Sequence, residues 1–174
     1  MTTLSKIDRT MIAQMGDIDF RPAKVEEEAK IIDVMRAAIR KSCVKFYGER
    51  TVKFWTAPEN RIFKFQLPET SFVAEGPSGI LSIAGWTRQP GVDDVARISA
   101  VFTLPQEERK GYGRLLLAMA EDSIRRAGIS DVFLLASMNA VPFYKALGFE
   151  ARQEELIEVA SGHYISVLRM RKTL

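Results

Sequence analysis

The chain has one cysteine, Cys43, and one histidine, His163. A lone thiol excludes an internal disulfide and points to a reducing compartment, the cytoplasm. A lone thiol and a lone imidazole do not make a structural zinc site, so no metal is expected. No apolar run approaches the ~20 residues of a membrane span. The opening stretch, MTTLSKIDRTMIAQMGD, lacks the long apolar segment of a secretory signal. No membrane partner is expected. Lys/Arg blocks are absent as well: 25 cations and 22 anions are mostly interspersed, for a net charge of +3. That excludes the footprint of a nucleic-acid binder and leaves room for a local anion site. There is no internal repeat, no low-complexity segment and no linker that would divide the chain.

What is present is a globular composition, 47% apolar and 27% charged over 174 residues, enough for one domain with its own core. Residues 1–16 show weak periodicity and read as a loose arm, leaving 17–174 as the domain. IDFRPA reads as a first strand ended by Pro22. VEEEAKIIDVMRAAIRKSC has helical spacing, with an acidic first turn and a basic last turn as the helix dipole favours. TVKFWTAPENRIFKFQL reads as an irregular helical region broken near Pro58. SFVAEG, ILSIAGWTR and VARISAVFT are strand-like runs between Gly, Pro and Asp turn signals. A helix follows from Gly111 to about Ala127, stopped by Gly128. DVFLLAS reads as a buried strand. NAVPFYKALGF is a short helix with Asn139 available as its cap, and EARQEELIEVA with HYISVLRMR forms a hairpin around Ser161 and Gly162. The order predicts an α/β (α+β) domain with a mixed sheet.

The most informative stretch is QEERKGYGR, residues 106–114. It sits between a strand and a helix. The first four N–H groups of a helix have no internal acceptor, and the dipole adds positive charge there. Gly111 and Gly113 leave room for a phosphate, and Arg109, Lys110 and Arg114 add cations. A GxxxxGK[ST] loop is absent. The GxGxxG pattern also fails, because its third glycine position is Leu116 and the loop follows a late strand. On this loop alone, a purely structural turn and an anion site are evenly balanced.

A second motif, FYKALGF (residues 143–149), follows some thirty residues later. Together, strand–ERKGYG–helix and strand–NxxxxFYxxLGF resemble the GCN5-related N-acetyltransferase (GNAT) superfamily, most clearly from Ala96 to Phe149. The resemblance implies a mostly antiparallel mixed sheet with a central pair of splayed parallel strands, here Ile98–Thr103 and Asp131–Ala136, flanked by helices. It implies acetyl-CoA as acyl donor and a primary amine, of a small molecule or a protein, as acceptor. The diphosphate would sit on backbone groups of residues 109–114, Arg109, Lys110, Gly111, Tyr112, Gly113 and Arg114. Val101, Phe102 and Thr103 would pair with the pantetheine through their backbone. Asn139 would contact the pantetheine or cap its helix. Tyr144 matches the position of the acid that protonates the departing thiolate. From spacing alone Tyr144 reads as a core aromatic. The family has Gln or Arg where this chain has Glu108, whose side chain is expected to face solvent. No carboxylate lies within VARISAVFT, so no general base is named; the nearest acids are Asp93 and Asp94. The C-terminal segment resembles small bacterial members, and dimerisation is common in such folds, so a homodimer is an expectation. The alternatives are an acyl-CoA-binding regulatory module without catalysis and a protein that takes another phosphate ligand in the same loop. Cys43 reads as a buried small hydrophobe and His163 as a surface residue. Arg125 and Arg126 read as a solvated helix face, and Trp55 and Trp86 as core or pocket wall.

Overall fold

The computed structural model describes residues 15–60, 70–89, 91–92 and 94–174. The expected arm at 1–16 lies almost wholly outside the described residues, as does the second half of the irregular helical region. Seven strands form one sheet: β1 Asp19–Pro22, β2 Phe72–Gly76, β3 Gly79–Arg88, β4 Val95–Thr103, β5 Asp131–Ser137, β6 Glu150–Ala160 and β7 His163–Thr173. Their spatial order is β1-β2-β3-β4-β5-β7-β6. Every neighbouring pair is antiparallel except β4 and β5. The helices are α1 Glu28–Ser42, α2 Val44–Tyr47, α3 Glu49–Trp55, α4 Tyr112–Arg126 and α5 Val141–Ala146. Among the described residues no helix is long and apolar enough to cross a membrane.

Each sheet face is covered because each helix carries one apolar stripe. In α1, Ile31, Val34, Met35, Ala38 and Ile39 are buried at three- and four-residue steps. With Trp55, Ile31, Val34, Met35 and Ile39 pack on Val73, Ile83, Val159, Ile165 and Val167. On the opposite face Leu117, Ala120 and Ile124 of α4 pack with Trp86, Ile98, Val132, Leu134 and Met170. Burying each such Leu or Ile contributes roughly 1.5–3 kcal/mol. Lys172 Nζ meets Glu121 at 2.7 Å, so the one buried acid of α4 is paired.

The feature that creates a site is the junction of β4 and β5. They pair only at Val95↔Asp131, Ala96↔Val132 and Arg97↔Phe133. Beyond Arg97 and Phe133 they separate, so the open part starts at Ile98 on β4 but only at Leu134 on β5, whose first three residues, expected within the splayed stretch, are paired. The physical cause lies on the other edge of β4. Its pairing with β3 shifts between Ile83/Gly85, so that Ala100 and Val101 together oppose Ala84. Ala100 takes a left-handed φ of 54°. A bulge of this kind bends its strand, and the non-glycine left-handed residue costs about 1–3 kcal/mol, met by the surrounding packing.

Candidate active site

Two cavities meet at the open end of the β4–β5 pair. The first is a groove of about 730 Å³ running past the glycine loop, lined by Thr103, Glu108, Arg109, Gly111, Gly113, Arg114, Asn139 and Phe143 among others. The second holds about 250 Å³ and lies under α1 and α3, walled by Met35, Trp55, Phe102, Leu135, Ile157 and Val167 among others. Val101, Ala140 and Tyr144 line both. Of the site residues named from the sequence, all but Lys110 line one cavity or the other.

The loop has the form of an anion cradle. Gly111 is the N-cap of α4 with φ 91°, which an L side chain rarely adopts. The first helical hydrogen bond runs from Leu115 N–H to the Gly111 carbonyl at 3.1 Å. The N–H groups of Tyr112, Gly113 and Arg114 are thus left without an intrahelical acceptor. No acid lies in the first turn of α4. Arg109 is a second left-handed non-glycine residue, φ 62°, and it turns the chain into the loop. Gly113 leaves the groove floor bare: a Cβ there would lie at ordinary contact distance, 3.4 Å from Thr103 Oγ1 and 3.9 Å from Phe143 Cζ.

The side chains of the loop differ in part from expectation. Lys110 Nζ pairs with Glu107 at 2.8 Å, and that hydrogen bond raises its pKa. Tyr112 is buried against Phe20, with ring centroids 6.1 Å apart, so its ring belongs to the core and only its backbone faces the groove. Glu108 is exposed, but it does not simply point into solvent. Its Oε1 accepts a hydrogen bond from Ser42 Oγ at the end of α1, at 2.9 Å.

Along β4 the backbone alternates in direction. Leu104 N–H donates to the Leu81 carbonyl at 2.8 Å, so Phe102, two residues earlier, also faces β3. Its carbonyl accepts from Ser82 Oγ at 2.9 Å. Thr103 then directs its N–H and carbonyl away from β3, toward the opening. Of the three expected pairing residues, Phe102 is engaged by β3 and contributes its side chain to the second cavity instead.

Asn139 does not cap α5. It lies in a 3-10 turn, Met138–Ala140, the N-cap is Ala140, and no side chain caps the helix. The Asn139 Oδ1 accepts from Cys43 Sγ at 3.4 Å. Burial pushes the Cys43 thiol up to about 11, so it stays protonated. Tyr144 is 7% exposed and stacks edge-on with Phe143 and Phe149 at 5.1 and 5.7 Å. Burial raises its hydroxyl pKa. It is both a core aromatic and a wall of the site, so the two readings of its spacing do not exclude each other.

Tyr47 carries no signal of its role in the sequence. Its hydroxyl accepts the Met138 N–H at 2.8 Å and donates to the Ser166 carbonyl at 2.7 Å. It thereby ties α2 to the end of β5 and to β7, while its ring meets Trp55 edge-on at 6.2 Å. Nothing local in VKFYGER signals this, because both partners are remote in sequence. His163 stacks on Phe54 at 4.3 Å, far from the glycine loop. Trp86 is core, its Nε1 donating to Ser123 Oγ at 3.2 Å.

Residues 26–174 match the acetyltransferase (GNAT) domain family. Among solved structures, the chain resembles a GCN5-related N-acetyltransferase from Rhodopseudomonas palustris, with a TM-score of 0.77 and 21% identity over 92% of this chain and 98% of that one. It also resembles the PaiA N-acetyltransferase of Thermoplasma acidophilum in complex with coenzyme A, with a TM-score of 0.70 and 20% identity over 90% and 99%. A third is YncA of Salmonella typhimurium with its cofactor acetyl-CoA, with a TM-score of 0.62 and 17% identity over 91% and 95%. No curated protein matches the chain.

Proposed function

The chain belongs to the GNAT acetyltransferase family, and from that premise we propose that it transfers the acetyl group of acetyl-CoA to the primary amine of a small molecule or protein. The observation that carries this reading is the junction of the two cavities at Val101, Ala140 and Tyr144. One cavity suits a donor with a diphosphate and the other suits an acceptor. The fit of the donor groove rests on the orphan N–H groups of residues 112–114 and on the acid-free first turn of α4.

Acetyl-CoA would supply an activated acyl group as a thioester. The chain's own residues supply the rest. Tyr112, Gly113 and Arg114 hold the diphosphate with backbone N–H groups, and Arg109 and Arg114 add charge. Thr103 offers backbone groups to the pantetheine arm, with Asn139 on the same wall. Tyr144, kept protonated by burial, donates to the departing sulfur; a thiol of pKa about 8.5 needs little assistance. The acceptor amine must react unprotonated. An amine of pKa about 10.4 is neutral only about once in a few thousand molecules at pH 7. Among the described residues no carboxylate or imidazole lines the second cavity, so the proton leaves through water. The buried, protonated Cys43 is in keeping with a cytoplasmic protein.

The lack of a lining carboxylate is also the observation that favours the second reading, an acyl-CoA-binding module without catalysis. One experiment separates them: release of free CoA thiol from acetyl-CoA, followed with and without a panel of amines. Amine-dependent release supports the enzyme, whereas acetyl-CoA binding without amine-dependent release supports the module.

A further inference from the structure

The second cavity has a chemical bias of its own. Its walls are apolar, from Met35, Trp55, Phe102, Ile157, Val159 and Ile165, and its charged lining residue is Arg97. On β4, Arg97 is exposed between Ala96 and Ile98, which are 0% and 2% exposed. The alternation turns it to the face of the sheet opposite that of its neighbours, the face on which α1 and α3 pack.

The neighbouring charges determine what Arg97 offers. Glu155 is close enough for Arg97 to help hold its carboxyl below the usual range, but the first cause is the hydrogen bond from Arg169, and Gln153 adds another. Arg169 also covers the Phe133 ring, 4.6 Å from its centroid. Glu155 is therefore already bound by Arg169, and among the described residues Arg97 has no ion pair within contact distance. Arg152 and Arg171 line an adjoining hollow with Phe133 and Val95, paired to Glu150 and Asp131. Arg97 is thus the one charge on the lining of the acceptor cavity without such a partner, the rest of that lining is mostly apolar, and no carboxylate lines it among the described residues.

We propose that the acceptor is an ω-amino carboxylate, a primary amine on an apolar stem that ends in a carboxylate, with Arg97 as the residue that receives the carboxylate. This rests on the acetyl-transfer reading. The amine must reach the junction at Val101 and Tyr144, four residues along β4 from Arg97. That span is about 13 Å of extended strand, shortened by the bulge and by the length of the arginine side chain. An α-amino acid holds its two charges too close together to bridge it, whereas several methylenes suffice. A diamine or polyamine is disfavoured, since its second ammonium would face Arg97 with no carboxylate on the cavity lining to receive it.

The test compares three acceptors of equal length, ε-aminocaproate, n-hexylamine and hexamethylenediamine, with triglycine as an acceptor of similar span but polar stem. Both the parent protein and Arg97→Gln are used. The expected order of kcat/KM is ε-aminocaproate, then n-hexylamine, then the diamine, with triglycine below ε-aminocaproate. Arg97→Gln should raise KM for ε-aminocaproate about tenfold and leave n-hexylamine unchanged. Equal or better use of the diamine, or the same loss for all three amines in Arg97→Gln, overturns the proposal. Binding is read independently by thermal unfolding of the CoA-loaded protein. Stabilisation by ε-aminocaproate that disappears in Arg97→Gln supports the assignment, and no stabilisation of the parent protein overturns it. Acetylation of n-hexylamine without preference for the carboxylate leaves acetyl transfer standing and removes only this inference.

Discussion

Ser42 Oγ donates a hydrogen bond of 2.9 Å to Glu108 Oε1, joining the end of α1 to the loop that precedes α4. The two residues are 66 positions apart. The bond fixes a carboxylate at the rim of the donor groove, where the proposed ligand is anionic.

Glu108→Gln keeps an acceptor for Ser42 and removes the charge. Two like charges separated by several ångströms near a surface repel by about 1 kcal/mol, less in salt. The variant should bind CoA roughly two- to tenfold more tightly at low ionic strength, and the gain should shrink in high salt. Titration calorimetry at two salt concentrations reads both. Unchanged or weaker binding would show that the charge of Glu108 does not oppose the ligand.

Gly113→Val tests the cradle without straining it. The Cβ would meet Thr103 and Phe143 at ordinary contact distances, so the fold should survive with an unfolding temperature within a few degrees of the parent. The branched carbons would occupy the phosphate approach. CoA affinity should fall at least about a hundredfold. Gly111 would be the poorer choice, since its φ of 91° makes any side chain there a folding problem as well. A Gly113→Val protein that binds CoA normally would remove the diphosphate from this loop.

Tyr144→Phe should lower kcat by about ten- to a thousandfold with little change in the affinity for acetyl-CoA. Burial raises the Tyr144 pKa, so the hydroxyl stays protonated throughout the neutral range. Stability carries the same signature. A group whose folded pKa is raised contributes stability below its unfolded value, near pH 10, and loses it as the pH climbs further. Thermal unfolding followed above pH 10 should fall less steeply for Tyr144→Phe. An unchanged kcat would remove Tyr144 from the chemistry.

A carboxylate cluster far from the groove sets the acid side. Arg21 bridges Glu27 and Glu75, with contacts of 3.0 Å to Glu27 and 2.6 Å to Glu75. The Arg21 hydrogen bond, aided by the Lys24 N–H, holds Glu27 down at about 2. A depressed carboxyl contributes stability above its unfolded pKa, about 4.3, and loses it as the pH falls through the folded value. The protein should therefore weaken progressively between about pH 5 and pH 2, and Glu27→Gln should flatten that slope in acid titrations of the unfolding midpoint. A parallel slope in the variant would contradict the assignment.

The parts of the fold that were legible in the sequence are those written in local pattern. VARISAVFT and DVFLLAS are β4 and β5 with the same bounds, because continuous apolar runs bounded by turn residues leave little choice. The helix expected from Gly111 to Ala127 runs from Tyr112 to Arg126, since Gly111 and Gly128 mark its limits. The illegible parts depend on distant partners. The bulge uses Ala100, a residue with no left-handed preference, and exists because β3 and β4 must shift register. Asn139 has the composition of a cap, yet its side chain serves Cys43, which is 96 residues away. Tyr47 meets Met138 and Ser166, 91 and 119 positions on. Arg97 looks like any exposed strand arginine until the opening beside it is seen.

In the proposed function QEERKGYGR holds the diphosphate of a CoA thioester. Thermal unfolding with acetyl-CoA, CoA, ATP and NADH added separately tests it most directly. A ligand at a hundred times its Kd stabilises by about 2.7 kcal/mol, which in a domain of this size is a shift of roughly 5–10 °C. That shift is expected with acetyl-CoA and with CoA, and little with ATP or NADH. No shift with either CoA species, or a larger one with ATP or NADH, would contradict it.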